Sequence, residues 1–438
     1  MRRTILHTLK AWKNQKNHKV LLLRGARQVG KTFIVRVLAK EFKHLVEVNF
    51  EKNADVQIFF EQNFDPNRIC RNLSVYYGIP ILDQDTLLFF DEIQSCPEAI
   101  QALRFFYESR PGLHVIAAGS LLEFALGDLP TWGVGRIRSL YMYPMSFDEF
   151  LLANNQDDLL DLKQSASPEN PLNQAFHNRL LDYLKEFLLI GGMPEAVKSF
   201  ISNSNDINFV QKVLTDITVS FYDDFAKYKK RAPVLLLREV MNSVARQAGN
   251  KFIYSNTGTL SNPVQAKEAL ELLDMAGLVY KVYHSSGHGL PLGAEVNYKK
   301  FKALLFDTAI FQQIVALKLS DHIIAKNIDM LNKGRIAEVF VGLEFMKYCD
   351  VHDKMQLYYW HREKRGSNAE VDYLIEQEGD VIPVEVKSGS SGKMQSLNIF
   401  MDERKSSEGI RISLENFSQY GKITVIPLYA VSNLFLSH

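Results

Sequence analysis

Leu21-Leu-Leu-Arg-Gly-Ala-Arg-Gln-Val-Gly-Lys-Thr32 carries the strongest structural signal in this chain. An apolar run from Val20 to Leu23 leads into it, and an apolar-periodic segment from Phe33 to Leu38 follows it. This order of strand, glycine-rich loop and helix is the one that a phosphate-binding loop of the type Gly-x-x-x-x-Gly-Lys-Thr requires. The stretch therefore predicts a nucleotide-binding α/β domain.

The residue types of the loop fit the chemistry of phosphate binding. Gly25 and Gly30 allow backbone angles that turn N–H groups toward phosphate oxygens, and the following helix adds its positive N-terminal dipole. Lys31 would reach the β- and γ-phosphates, and the Thr32 hydroxyl would complete the shell of a Mg²⁺ ion. The predicted nucleotide ligands are Gly25, Ala26, Arg27, Gln28, Val29, Gly30, Lys31, Thr32 and Phe33.

A second motif ends the apolar run Thr86-Leu-Leu-Phe-Phe-Asp-Glu92. Such a run is typical of a strand that is buried on both faces of a parallel sheet, and α/β folds bind ligands at the carboxyl ends of these strands. Behind a phosphate-binding loop, Asp91 would hold Mg²⁺ and Glu92 would polarise the attacking water. Taken alone, the two carboxylates would also fit a solvated strand end.

Two further residues are candidates for contact with the γ-phosphate. Ser120 ends another buried apolar run, where it would sense the γ-phosphate or the lytic water, or would cap the helix that follows. Arg136 follows a loop broken by glycine and proline, and its guanidinium would stabilise phosphoryl charge on its own nucleotide or on that of a neighbouring copy. A surface arginine is the alternative interpretation.

Composition restricts the class of protein. The chain has 438 residues, 46% of them hydrophobic and 23% charged, so we expect a globular protein of several domains. Lys and Arg number 51 against 50 Asp and Glu, and this balance gives no global field that favours nucleic acid or a membrane surface. Three scattered cysteines, a short N-terminal apolar stretch and the lack of a long apolar run predict a cytoplasmic protein without a membrane partner.

Together these motifs resemble a family of prokaryotic AAA-superfamily ATPases with a C-terminal domain of unassigned function. The resemblance also uses Tyr-Pro-Met-Ser-Phe-Asp-Glu-Phe at 143–150 and Gly-Gly-Met-Pro-Glu at 191–195. It implies that the chain binds ATP with Mg²⁺ and hydrolyses ATP. In related signal-transducing ATPases a Gly-x-Pro turn of the helical lid contacts the adenine, which makes Gly192 and Pro194 nucleotide candidates by resemblance. As local chemistry, the same turn is only a helix stop.

The middle of the chain is similar to a winged helix. A helical pattern is followed by a helix that Asn262 and Pro263 open, by strand-like residues 278–283, by a glycine-rich loop and by a second strand at 302–306. This part would read DNA, or it would pack internally or bind a protein. The lysines that would meet DNA phosphates are Lys267, Lys281, Lys299, Lys300 and Lys302.

The last third holds a second set of charged residues: Glu338 on a helical segment, Asp372 on a strand, and Glu385 with Lys387 on the next strand. Their order resembles the restriction-endonuclease-like fold, in which carboxylates hold Mg²⁺ and a lysine activates water at a phosphodiester. Alternation along the strand puts Glu385 and Lys387 on one face. The resemblance implies a metal site at Asp372 and Glu385, whereas an ion pair explains Glu-x-Lys by itself. The basic loop 361–365 would suit a phosphate backbone or be solvated.

The sequence thus predicts an α/β protein in four parts: a P-loop ATPase core with a parallel sheet (1–155), a helical lid (156–225), a winged-helix-like domain (226–310) and a restriction-endonuclease-like domain (311–438). Three functions stay open. They are an ATPase that couples its nucleotide state to the C-terminal domains, an ATP-controlled DNA-binding protein or nuclease, and a nucleotide-gated regulator of a protein partner. Self-association would follow if Arg136 acts on a neighbouring copy.

Overall fold

The computed structural model describes residues 1–120, 122–129, 133, 135–204, 206–228, 231–258, 262–315, 334–363, 369–389 and 394–436. The chain forms two compact units. The N-terminal unit comprises Arg2–Tyr143 and Asp350–Lys354, and the C-terminal unit comprises Pro144–Cys349 and Met355–His438. The predicted division into four parts remains a prediction.

The N-terminal unit is a parallel five-stranded sheet with helices. Its strands lie in the order β2-β3-β4-β1-β5, and every neighbouring pair runs parallel. This arrangement confirms the predicted P-loop nucleotide fold. The elements are α1 (Ile5–Lys13), β1 (Val20–Arg24), α2 (Lys31–Ala39), β2 (His44–Asn49), α3 (Ile58–Glu61), α4 (Pro66–Tyr77), β3 (Thr86–Asp91), α5 (Pro97–Ser109), β4 (His114–Ala118), α6 (Leu122–Asp128) and β5 (Ile137–Tyr141).

The apolar runs of the sequence become the central strands of this sheet. Every residue of β1, β3 and β4 is buried, as expected for parallel strands that helices cover on both faces. By contrast, β2 alternates between buried and half-buried residues because it lies at the edge. The strand order places β4 between β1 and β3, so the residues that follow these three strands lie side by side at one edge of the sheet.

The C-terminal unit begins with helices. They are α7 (Phe147–Ala153), α8 (Asp157–Gln164), α9 (Gln174–Ile190), α10 (Pro194–Ser202), α11 (Ile207–Asp224), α12 (Val234–Gln247), α13 (Pro263–Met275) and, after two strands, α14 (Thr308–Ile314). The expected start of α13 is confirmed, because the Asn262 side chain accepts hydrogen bonds from the amides of Val264 and Gln265.

One segment differs from its expected structure. The polar composition of residues 151–176 predicts a solvated insertion or linker, yet they contain α8, whose Leu159 and Leu160 are buried. Lys163 of this helix is fully buried, and its ammonium lies 2.7 Å from a carboxylate oxygen of Asp148. The ion pair explains the difference, since a paired lysine can enter a core that its charge would otherwise exclude.

A mixed eight-stranded sheet completes the C-terminal unit, in the order β12-β13-β11-β10-β9-β8-β6-β7. Its strands are β6 (Val279–Ser285), β7 (Val296–Leu305), β8 (Leu357–His361), β9 (Glu370–Gln377), β10 (Asp380–Val386), β11 (Gly409–Ser413), β12 (Ser418–Tyr420) and β13 (Ile423–Pro427), accompanied by helices α15 (Gly334–Tyr348) and α16 (Gln395–Arg404). The hairpin of β6 and β7 joins the C-terminal strands directly, because β6 pairs parallel with β8, and the predicted winged-helix-like character of this region remains a prediction.

Among the described helices, none combines the length and the apolarity that a membrane crossing would require.

Candidate functional site

The loop between β1 and α2 has the backbone of a phosphate-binding loop. Gly25, Gln28 and Gly30 have φ angles of 134°, 62° and 96°, in the left-handed region that glycine tolerates best. A Cβ on Gly25 would lie 2.1 Å from the carbonyl oxygen of Met142, which explains why no larger residue fits there. Lys31 then begins α2, and the amide of Ile34 donates to the carbonyl of Gly30.

Lys31 lies over this loop. Its side-chain ammonium donates hydrogen bonds of 2.8 Å to the carbonyl oxygens of Gly25 and Ala26. Burial lowers the pKa of Lys31 to about 8, although Glu92 and Asp91 act in the opposite direction. The ammonium is therefore held at the loop, where β- and γ-phosphate oxygens would provide the countercharge that carbonyls only partly supply.

Thr32 and Asp91 meet as the motifs predict. The Thr32 hydroxyl donates to Oδ2 of Asp91 over 3.2 Å, and the amide of the Asn49 side chain donates to the same oxygen over 3.2 Å. Burial, and then the neighbouring Glu92, raise the pKa of the Asp91 carboxyl. A hydroxyl and a carboxylate in contact are the two protein ligands that a P-loop protein offers to Mg²⁺.

Glu92 and Ser120 also come together. The Gln94 side-chain amide donates to Oε2 of Glu92 over 2.6 Å, and the Ser120 hydroxyl donates to the same oxygen over 3.4 Å. Arg27 in turn donates from Nε to the Ser120 hydroxyl over 3.2 Å. The carboxylate thus has a fixed orientation at the end of β3, and Ser120 reaches it from the adjacent strand β4.

Asn49 and Gln94 were not found by sequence reasoning. Asn49 ends β2, the strand next to β3, and Gln94 lies two residues beyond Glu92. For Asn49 the available signal was its position as a polar residue at the end of a strand. For Gln94 the signal was indirect and came from Gly119. A Cβ on Gly119 would lie 2.2 Å from the Gln94 side-chain oxygen, so this glycine leaves room for Gln94.

Arg136 lies outside this group of residues. Its guanidinium pairs with Glu108 over 2.9 Å, and about half of its side chain, 51%, is exposed. Phe33, the last residue of the predicted loop set, is exposed too. Arg136 is therefore accessible to a partner, and its predicted role stays a prediction.

The Gly-Gly-Met-Pro turn belongs to the C-terminal unit. The amide of Gly192 donates to Oδ2 of Asp307 over 2.7 Å, and its carbonyl accepts from the amide of Met145 over 2.7 Å. A Cβ on Gly192 would lie 2.3 Å from the Met145 carbonyl oxygen. Pro194 begins α10. These contacts account for the turn as a packed helix stop, and the adenine contact remains a prediction.

The second set of charged residues is brought together within the C-terminal unit. Glu338 comes from α15, Asp372 from β9, and Glu385 from β10, where it forms an ion pair with Lys387. Burial raises the pKa of Glu338 to about 7 and also raises that of Glu385. The same cluster also contains Lys302, which the sequence had predicted to meet DNA phosphates. Its ammonium pairs with Glu338 over 2.7 Å.

Two of the five lysines expected to meet DNA phosphates are unsuited to that role. Lys302 is buried, and Lys281 is buried with its ammonium 2.7 Å from Glu271 and 3.4 Å from Asp274. Both hairpin lysines are neutralised by carboxylates, so the expectation was wrong for them. Lys267 and Lys299 are exposed, and Lys300 pairs with Glu363. Residues 364 and 365 of the basic loop lie outside the described residues.

Across the ranges that the structure describes, no group of three or more His, Cys, Asp or Glu side chains has the geometry to hold a metal ion by itself.

Domain comparisons divide the chain into three matched segments. Residues 17–151 match an AAA domain, residues 181–321 match a domain of unknown function (DUF8612), and residues 333–431 match another domain of unknown function (DUF4143). No sequence among curated proteins matches the chain.

A comparison with solved structures finds distant likenesses. The Walker-type ATPase of Pyrococcus abyssi is 16% identical with a TM-score of 0.47, and the match covers 72% of this chain and 95% of that one. The Aeropyrum pernix ORC1 protein in complex with DNA is 12% identical with a TM-score of 0.29, covering 74% and 92%. A signal transduction ATPase with numerous domains from Pyrococcus horikoshii is 12% identical with a TM-score of 0.26, covering 76% and 47%. These likenesses are too distant to transfer a function.

The AAA domain match spans both nucleotide motifs and agrees with the strand order and loop geometry of the N-terminal unit. Together they support an ATP-binding ATPase of the AAA type.

Proposed function

We propose that the chain binds ATP with Mg²⁺ at the loop 25–33 and hydrolyses it. The observation that carries the proposal is a double convergence: Thr32 of α2 contacts Asp91 at the end of β3, and Glu92 contacts Ser120, where these two residues follow the adjacent parallel strands β3 and β4. In this arrangement Lys31 neutralises the β- and γ-phosphates, and Thr32 and Asp91 hold Mg²⁺.

The water-activating group in this proposal is Glu92. Its carboxylate would accept a proton from the attacking water, while Ser120 would sense the γ-phosphate or orient the water. Arg136 would stabilise charge on a γ-phosphate, of its own chain or of a neighbouring one, and Gly192 with Pro194 would contact the adenine. Native mass measurement with and without ATP separates the two roles of Arg136, because only action on the nucleotide of a neighbouring chain requires self-association.

Two substitutions test the ATPase. Lys31→Ala removes a charge-assisted contact worth about 1.5–3 kcal/mol, so ATP binding should weaken roughly 10- to 100-fold. Glu92→Gln keeps the shape of the site but removes the base, so ATP should still bind while kcat falls by roughly 10²–10⁴. Equilibrium binding of a fluorescent ATP analogue and phosphate release measure the two effects.

Matched controls are available in the same unit. Lys40→Ala lies just beyond the far end of α2 and Glu61→Gln ends α3, and both residues are exposed. Both controls should bind and hydrolyse ATP as the parent chain does. Normal turnover in Lys31→Ala and Glu92→Gln would disprove the proposal.

The output of the ATPase is a second part of the proposal. We infer that the nucleotide state changes the C-terminal unit, which would then bind DNA or a protein partner. Exposed Lys299 on β7 and exposed Lys267 on α13 support a nucleic-acid surface, because exposed lysines can neutralise backbone phosphates. The affinity for single-stranded DNA should then fall steeply as the salt concentration rises, and Lys299→Ala should lower it further. If neither effect is seen, the expected partner is a protein.

A further inference from the structure

Lys302 occupies the centre of the charged cluster in the C-terminal unit. It lies in the middle of β7, opposite Val282 of β6, and it forms a bridge with Lys251 on its other side. Its side chain is 1% exposed, and its ammonium lies 5.2 Å from the centre of the Tyr359 ring. Backbone pairing on both sides therefore fixes the point from which the ammonium enters the cluster.

Three carboxylates from two elements surround this ammonium. Its nitrogen is 2.7 Å from Oε1 of Glu338 on α15, 2.5 Å from Oε1 of Glu370 on β9 and 3.7 Å from Oδ1 of Asp372 on β9. An ammonium has three N–H donors and no acceptor, so it can serve several carboxylates at once. The lysine does what a bound cation would do, because it compensates the charge of Glu338, which is buried, and of Glu370 and Asp372, which are partly buried.

Two other oxygens of the cluster also have partners. The amide of Val386 donates to Oδ2 of Asp372 over 2.8 Å, and Lys387 pairs with Oε1 of Glu385. Within the described part of the chain, Oε2 of Glu385 is buried without a hydrogen-bond donor. Carboxylate oxygens that already accept from an ammonium or an amide offer little to Mg²⁺, which binds at about 2.0–2.1 Å in a near-octahedral shell and loses its waters reluctantly.

We propose that the Lys302 ammonium is the resident counter-ion of Glu338, Glu370 and Asp372, so that this cluster excludes divalent cations and the C-terminal domain acts without metal. A divalent ion would either displace an ammonium tethered to β7 or share the pocket with it, and in a buried site the repulsion between the two cations is strong. The inference goes beyond the ATPase proposal and does not depend on it. It assigns the domain to metal-independent binding rather than to phosphodiester cleavage.

The decisive experiment compares the full-length chain with its Asp372→Asn variant. Mn²⁺ is titrated without nucleotide, and free Mn²⁺ is followed by electron paramagnetic resonance up to about 1 mM, the weak end of the affinity range of protein calcium sites. The two chains should bind the same number of Mn²⁺ ions, and neither should cut plasmid or single-stranded DNA with Mg²⁺ or Mn²⁺. One additional Mn²⁺ in the parent chain, or cleavage that Asp372→Asn abolishes, would overturn the proposal.

A second comparison tests Lys302 itself. Lys302→Met keeps the length of the side chain but removes the charge, so the variant should gain one Mn²⁺ site, and Mn²⁺ should raise its melting temperature. Lys281→Met is the matched control, because it also removes a buried lysine of the hairpin that is paired with two carboxylates. It should gain no site, because Glu271 is about half exposed and water can solvate its charge once the lysine is removed.

A folded Lys302→Met chain that gains no Mn²⁺ would contradict the proposal. Should this variant not fold, Lys302→Met combined with Glu338→Gln removes one charge of each sign and takes its place in the titration, with a smaller gain of Mn²⁺ expected. The comparison of the parent chain with Asp372→Asn needs neither variant.

Discussion

Gly25 is the residue at which the geometry of the phosphate-binding loop is least tolerant. Its φ of 134° disfavours any other residue, and an added Cβ would lie 2.1 Å from the backbone oxygen of Met142, which cannot rotate away. We expect Gly25→Ala to lower the free energy of unfolding of the N-terminal unit by about 3 kcal/mol or more, as strain and overpacking combine. Urea unfolding followed by circular dichroism measures this loss.

Gly78 provides the matched control for that prediction. It follows α4 with a φ of 66°, but an added Cβ would have no atom within 4 Å. Gly78→Ala should therefore cost only the backbone strain, about 1 kcal/mol. Equal losses in the two variants would mean that the close approach to Met142 contributes nothing.

The individual residues of the nucleotide site differ in how far sequence could predict them. Lys31, Thr32 and Asp91 belong to contiguous motifs whose spacing is set by one loop or one strand end, so the pattern alone was enough to predict them as site residues. Asn49 donates to the Asp91 carboxylate and Gln94 to that of Glu92, but their positions depend on side-chain direction and on which strands are neighbours. Lys302 was misassigned because a lysine on a hairpin reads as exposed, and only the fold brings carboxylates from α15 and β9 around it.

Helix α1 is held to the N-terminal unit by an aromatic cluster that contains two histidines. The rings of His18 and His114 stack at 3.9 Å, and Trp12 of α1 packs edge-on against both. Burial, and then the neighbouring His114, lower the pKa of His18 to about 4, and burial also lowers that of His114. The Asp83 carboxylate acts in the opposite direction on the pKa of both histidines, and a hydrogen bond with the Lys13 carbonyl does so for His114.

The histidine pair makes the stability of this unit sensitive to acid. A lowered histidine pKa means that the unfolded chain takes up the proton first, so stability is complete above pH 6.5 and is lost as the pH falls toward 4. His18 alone should cost about 2 kcal/mol between pH 7.5 and 5. Urea unfolding at both pH values measures the loss, and His18→Gln should show a smaller one. An unchanged pH dependence in the variant would contradict the assignment.

At the level of elements, periodicity predicted helices and buried strands well but failed where charge enters a core. Helices α9 and α13 begin and end close to their capping and glycine signals. Helix α8 was missed because its polar sequence conceals the buried pair of Lys163 and Asp148. The parallel pairing of β6 with β8 was also beyond the sequence, because about 70 residues separate strands whose partners no local pattern specifies.

The two units of the chain meet in sequence at residues 143–144, and the segment that follows is tied firmly into the C-terminal unit. The Glu344 carboxylate of α15 accepts from the amide of Phe147 over 3.0 Å, and the Lys347 ammonium donates to the carbonyl of Met145 over 3.0 Å. The Met145 amide donates to Gly192. A displacement of this segment would therefore reach both α15 and the Gly-Gly-Met-Pro turn.

This network predicts how a nucleotide-driven change travels through the whole chain. In a Glu92→Gln chain, which should bind ATP without hydrolysing it, ATP should slow amide hydrogen exchange at residues 25–32, 145–150 and 334–348. Adding Lys347→Met removes a charge-assisted hydrogen bond worth about 1.5–3 kcal/mol, so the protection at 334–348 should fall roughly tenfold or more while that at 25–32 persists. Lys198→Met, at an exposed position of α10, is the control and should change neither. Protection at 334–348 that survives Lys347→Met would show that coupling runs by another route, because the network around Met145 would then be dispensable.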